Sequence, residues 1–215
     1  MRDLLVFLSF ILLTLFLQAQ STESKNFTTT KNTIEIQVDG LDEVQLKNSE
    51  TEEVEVLLFN EGDIPLKILT EELSEIQKII FKPAFFNQES PVFRKYITKR
   101  LNRASVVISL PKNKNITVLG KTVDVVSESY KGNLRVFIDK GLVDLNEVGG
   151  DVELHLFQGN ISAVVKTSAI HIRTNKGKIL VNDEEEKSPY IKSSLNYQTN
   201  FVINSIRANV FLKDY

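Results

Sequence analysis

The chain has 215 residues, no cysteine, and a formal net charge of −2 from 26 Lys and Arg against 28 Asp and Glu. This length is enough for one domain with its own core, and the absence of cysteine excludes disulfide staples and a lipid-anchored cysteine. The balanced, interspersed charges give no case for nucleic acid.

The first element in chain order is an apolar run from Leu4 to Leu17, broken by Ser9 and Thr14 and followed by Ala19-Gln20-Ser21. It falls short of the ~20 residues that span a bilayer. With its small-x-small end it predicts a secretory signal peptide over residues 1–20, an uncleaved anchor and a buried core helix being the alternatives. Nothing later is long or apolar enough to cross a membrane as a helix. Small secreted eukaryotic domains usually carry disulfides, so an exported chain without cysteine points to a bacterial envelope or exterior.

Residues 21–103 read as a strand-rich N-terminal part packed on the C-terminal half of the chain. Ile34 to Val38, Val54 to Phe59 and Leu66 to Leu69 are strands between acidic turns such as Asn60-Glu61-Gly62-Asp63. Thr70 to Ile80 fits a helix capped by Thr70, or a turn followed by a strand from Gln77 to Phe81, and the strand is the expectation. Phe85 and Phe86 read as core plugs. A basic excursion near 91–103 gathers Arg94, Lys95, Lys99, Arg100 and Arg103 without an acidic residue. Such a cluster either contacts an anionic surface, such as lipid headgroups or lipopolysaccharide, or is a solvated excursion capping the fold.

Residues 104–215 carry a nine-residue repeat. Steps of nine from Gly132 give Gly141, Gly150, Gly159, Ser168 and Gly177. Two residues after these slots stand Leu134, Val143, Val152, Ile161, Ile170 and Ile179, and four after stand Val136, Leu145, Leu154, Ala163, Ile172 and Val181. Between them, five of six residues are polar, from Arg135 to His171. Each unit thus reads turn, in, out, in: a strand with one buried face. Glycine suits a tight corner because it takes positive φ or a close backbone approach without steric cost, and Ser168 marks an altered corner.

Such strands must stack to bury their faces. Two units form an eighteen-residue coil with strand i above strand i+18 at about 4.8 Å; a twenty-seven-residue, three-sided coil is the alternative. An antiparallel meander would also show regular strands, but its turns favour Asn-Gly or Asp-Gly, and the residue before the glycine here is Lys131, Lys140, Gly149, Gln158 or Lys176. Upstream, Ile116 and Val118 keep the phase while Val106, Ile108 and Leu110 are shifted by one. Downstream come an acidic surface loop over 183–189 and a closing strand alternating at Ile206, Ala208, Val210 and Leu212. Asn200, Asn204 and Asn209 are candidate left-handed corner residues.

The stretch "RASVVISLPKNKNITVLG" from Arg103 to Gly120, with units such as "GDVELHL" and "GKILVND", resembles the bacterial family of adhesin-like proteins with a single-stranded right-handed β-helix. The likeness covers about Ile34 to Asp183 and lies in the pattern. It implies an all-β fold, a right-handed parallel β-helix or solenoid with nine-residue half-coils, in an envelope or surface protein without assigned enzyme activity. The family's motif is the coil itself, so no functional residue is carried over.

In an eighteen-residue coil the outward positions stack as Arg135, Glu153, His171 and as Phe137, His155, Arg173. Arg135, Glu153, His155, His171 and Arg173 are therefore the candidate binding surface. His171 beside Glu153, with His155 on the diagonal, would bring three zinc ligands together, but an open sheet offers no supporting shell for the imidazoles, so no metal is expected. Calcium-binding nonapeptide turns need Gly-Gly-x-Gly-x-Asp, and only Val148-Gly149-Gly150-Asp151 approaches it.

There is no cysteine nucleophile, serine elbow or phosphate loop, so neither catalytic residues nor a cofactor are expected. The sequence predicts a secreted or periplasmic, non-enzymatic binding or scaffolding protein of the bacterial envelope. Its expected partner is an envelope protein or polysaccharide, with peripheral contact to an anionic membrane surface through the basic cluster. The alternatives are a carbohydrate-active enzyme on the same fold and an accessory to envelope signalling.

Overall fold

The computed structural model describes residues 21–62, 65–84, 104–193 and 197–215. The expected signal peptide over residues 1–20, Phe85, Phe86 and the basic residues Arg94, Lys95, Lys99, Arg100 and Arg103 lie outside the described residues. The strands are β1 (Ser21–Thr28), β2 (Thr33–Gln37), β3 (Glu43–Asn48), β4 (Glu53–Asn60), β5 (Leu66–Glu72), β6 (Ile76–Pro83), β7 (Ala104–Leu110), β8 (Asn115–Thr122) and β9 (Asp124–Glu128). They continue with β10 (Asn133–Asn146), β11 (Val152–Val165), β12 (Ser168–Thr174), β13 (Ile179–Val181), β14 (Glu184–Glu186), β15 (Tyr190–Lys192) and β16 (Thr199–Asp214). All sixteen belong to one mixed, open sheet, and no helix occurs among the described residues.

Alternation explains why these segments are strands, and a break in it explains the shape. In β10, Leu134, Val136 and Ile138 are buried, after which the buried parity shifts to Val143 and Leu145. β11 makes the same slip between Leu156 and Ile161, and β16 between Ser205 and Ala208. Successive strand residues point to opposite faces, so a one-residue slip keeps both halves turned inward only if the strand rounds a corner. The sheet therefore has two wings. The first holds β5, β6, β2, β8, the leading halves of β10, β11 and β16, then β12 and β15. The second holds β1, β4, β7, β3, β9, the trailing halves of the same long strands, then β13 and β14. Inward side chains of both wings form one core cluster from Ile34 to Leu212.

The middle of the sheet has the expected period. Ile116 pairs with Leu134 and Leu134 with Val152 on the first wing, while Val125 pairs with Val143 and Val143 with Ile161 on the second, all parallel and eighteen residues apart. Parallel pairing excludes a meander here. All twelve apolar repeat positions are buried.

The corner inside the long strands explains the glycines. At Gly141 and Gly159, φ is 157° and 151°, and an added Cβ would lie 1.8 Å from the Val123 carbonyl oxygen and 1.9 Å from that of Gly141. Each glycine is the place where the neighbouring backbone comes closest. Ser168 occupies the opposite corner after left-handed Thr167, and its hydroxyl bonds to the Lys166 carbonyl and to Thr199 Oγ1 at 2.6 Å.

Both ends of the stack depart from chain order. β2 and β3 pair with β8 and β9, but β6 and β7, later in the chain, lie outside them. At the other end β16 sits between β11 and the β12–β13 pair: Val152 pairs with Phe201 and Phe201 with Ile170. Antiparallel strands then cover the outermost parallel ones, β5 on β6, β4 on β7, β15 on β12 and β14 on β13. Covering an edge this way removes a row of open backbone groups.

Several sequence expectations change accordingly. The strand over Ile206 to Leu212 is internal, and Ile206 is 40% exposed because it rounds the corner. Asn200, Asn204 and Asn209 are not left-handed; Asn113, Ser129, Glu147, Thr167, Asn182 and Asp183 are. The acidic loop over 183–189 is partly strand. Asn182 and Asp183, both at positive φ, form a two-residue hairpin turn that lays Glu184–Glu186 along β13. Gln77 to Phe81 is strand, within β6. The sheet continues from the N-terminal strands into residues 104–215, with β3 between β7 and β9.

Candidate functional site

On the outer face of the first wing, parallel pairing aligns outward residues in columns across the strands. One column reads Thr117, Arg135, Glu153, Val202, His171, and the next Leu119, Phe137, His155, Asn204, Arg173. All five candidate residues thus share one face, and three are in contact. Arg135 Nε lies 3.3 Å from Glu153 Oε2, and His155 Nε2 lies 2.9 Å from Glu153 Oε1. The His155 ring stacks on Phe137 with centroids 4.8 Å apart and an interplanar angle of 13°. One carboxylate therefore holds an arginine and an imidazole in place, and a phenyl ring fixes the plane of the imidazole.

His171 is not beside Glu153. β16 places Val202 between them, so the two strands are about 10 Å apart at the usual strand spacing. The same insertion puts Asn204 between His155 and Arg173. Among the described residues no three His, Asp or Glu side chains converge as metal ligands.

Two shallow hollows flank the Arg135–Glu153–His155 group. The first, about 560 Å³, follows the corner of the first wing between the Phe137–His155 column and the next residues outward, Asp139, Phe157, Ile206 and Asn175. Phe157 and Ile206 are 46% and 40% exposed there, and Arg207 lies over the Phe157 ring with its Cζ 5.9 Å from the centroid. The second, about 590 Å³, lies at the strand starts, near Arg135 and Glu153.

A polar ladder that the sequence reading missed borders the second hollow. Asn133 Nδ2 donates to Asn115 Oδ1 at 2.8 Å, the Asp151 amide to Asn133 Oδ1 at 2.9 Å, and the Asn200 amide to Asp151 Oδ1 at 2.8 Å. A second ladder runs along the glycine corner, where Leu142 N donates to Asp124 Oδ1 and Asn209 Nδ2 to Asn160 Oδ1. The signal was present: Asn115, Asn133 and Asp151 recur at the coil period, the last two directly after glycine slots.

No protein-family model and no curated protein matches the chain. Among solved structures, the crystal structure of a putative cell adhesion protein from Clostridium sporogenes matches with a TM-score of 0.61 at 14% identity, over 92% of this chain and 100% of that one. The likeness is one of fold. A putative adhesin from Bacteroides fragilis covers 92% of this chain and 98% of its own at 8% identity, with a TM-score of 0.36. A putative lipid binding protein from Parabacteroides distasonis covers 91% and 97% at 10% identity, with a TM-score of 0.22. The last two superpose too loosely to carry an argument.

Proposed function

We propose that this is a non-enzymatic binding protein exported to the bacterial envelope or exterior, built as a right-handed, two-sided β-solenoid. The eighteen-residue parallel register supports the solenoid, and the apolar N-terminal run without any cysteine supports export. The adhesion name of the structurally similar protein fits a surface role.

The observation that carries the reading is the outer face of the first wing, where fixed ionic and aromatic side chains stand between two shallow hollows. Small-molecule sites are usually concave and bury most of their ligand. A repetitive, open face instead suits a polymer or a protein surface. The test is a glycan array combined with a reducing-end assay on the purified protein. Retention of a glycan without new reducing ends is the expected result; cleavage would establish a carbohydrate-active enzyme instead.

A further inference from the structure

The hollow along the corner of the first wing runs across the strands rather than along them. It crosses β10, β11, β16 and β12 in turn; β10, β11 and β16 each give one residue to either wall, and at the far end Arg173 of β12 faces Asn175, just beyond that strand. Neighbouring strands are spaced at about 4.8 Å, close to the length of one pyranose in an extended glycan, so a linear polysaccharide laid in the groove meets one strand per sugar.

The two ends differ in chemistry. Towards β10 and β11 the walls present Phe137, His155 and Phe157, an aromatic lining suited to the C–H face of a sugar ring. Towards β16 and β12 they present Asn204, Asn175 and Arg173. Arg135 is occupied by Glu153, whereas Arg173 has no carboxylate partner among the described residues. At the opposite end stands Asp139, three strands away and about 14 Å off at the usual spacing. A glycan with a carboxylate on every ring would set one against Asp139; one with acids on alternate rings avoids it. An acyl chain is a poor fit, because a hollow this open leaves much of it in water.

We propose that this groove binds a linear acidic polysaccharide in which a uronate alternates with a neutral sugar, one carboxylate on Arg173 and a neutral ring beside Phe137 and Asp139. The assignment rests on the binding reading above and names its ligand class. The experiment is titration calorimetry of the full chain with a hyaluronan oligosaccharide and with a neutral cello-oligosaccharide of equal length. A charge-assisted hydrogen bond at Arg173 should make the acidic probe about tenfold tighter. Arg173→Gln should erase that preference with neutral binding unchanged, Phe157→Ala should weaken both, and Ser162→Ala, exposed on the outer face of the second wing, should change neither; melting curves confirm that each variant is folded. Equal affinities for the two probes, a preference that survives Arg173→Gln, or binding of neither probe each overturns the inference. A glycan retained on the array by another face would still uphold the proposed function.

Discussion

The middle of the sheet and its two ends are built by different rules. Where both partners lie between Asn115 and Val165, every parallel pair is eighteen residues apart, so each stretch of that length lies against the one before it. At the ends the separations grow. Ile34 pairs with Gln77 and Val44 with Val106, while Val152 pairs with Phe201. A stack of identical units needs something different at its terminal layers, or the last sheet edges would stay open. At the C-terminal end the chain goes one layer beyond and β16 returns to fill the gap, while at the N-terminal end β6 and β7 are added outside β2 and β3 before the chain continues on their inner side. The middle is encoded by a period, and the ends by long-range pairing.

The sharpest way to break this contrast is to delete residues 199–215. Without β16, the slot between β11 and the β12–β13 pair is empty on both wings. The expected result is loss of the cooperative thermal transition, since the lost burial exceeds the ~5–15 kcal/mol that holds a domain folded. Next comes Gly159→Val, whose Cβ has nowhere to go against the Gly141 carbonyl. A destabilisation above about 4 kcal/mol is expected in denaturant titration, and a value near zero would remove close backbone approach as the reason for the glycine column.

Leu154→Ala should cost about 2–5 kcal/mol, because Leu154 is fully buried in the middle. Glu153→Ala, one residue away on the outer face, removes a half-exposed ion pair worth about 1 kcal/mol or less. Equal costs at the two positions would refute the inward and outward assignment.

Tyr130, fully buried just before the first glycine slot, gives a smaller effect with a pH signature. Its hydroxyl donates to the Lys114 carbonyl at 2.9 Å and to that of Pro111 at 3.2 Å. Burial raises the phenol well above the ordinary tyrosine value of about 10. The unfolded chain therefore loses this proton first, so stability is intact below pH ~10 and falls as pH rises beyond it. Tyr130→Phe should cost about 1–2 kcal/mol at neutral pH and flatten that alkaline decline. Parallel chemical melts from neutral to alkaline pH check both parts.

The repeat is legible because its evidence is local. Leu134, Val136, Val152 and Leu154 declare their inward faces by alternation alone, and Arg135, Glu153 and His155 come together because their strands are consecutive. The period misplaces His171 for the opposite reason. Its neighbour Val202 lies on a strand that arrives thirty-one residues later, and no periodicity announces an insertion. The N-terminal layers show the same limit. Ile34 and Val44 lie on alternating strands, but nothing nearby says that β6 and β7 will lie outside them. The asparagine ladders stand in plain view as an eighteen-residue recurrence, yet the hydrophobic phase is louder and masks them. Phe157 and Ile206 cannot be read as groove walls, since only the corner turns them outward.

The internal position of β16 also has a mechanical meaning. Both of its neighbours on each wing run parallel to it, and Lys192 ties the β15 cap to Asp214 near its end. A tether pulling on Tyr215 along the strand would load the ladders on both sides in shear, sharing the force among many hydrogen bonds instead of peeling them one at a time. Forced rupture is governed by the unfolding rate, so the C-terminal end should be the strong grip of this molecule. The edge strand β1, paired among the described residues only with β4, should be the weak one.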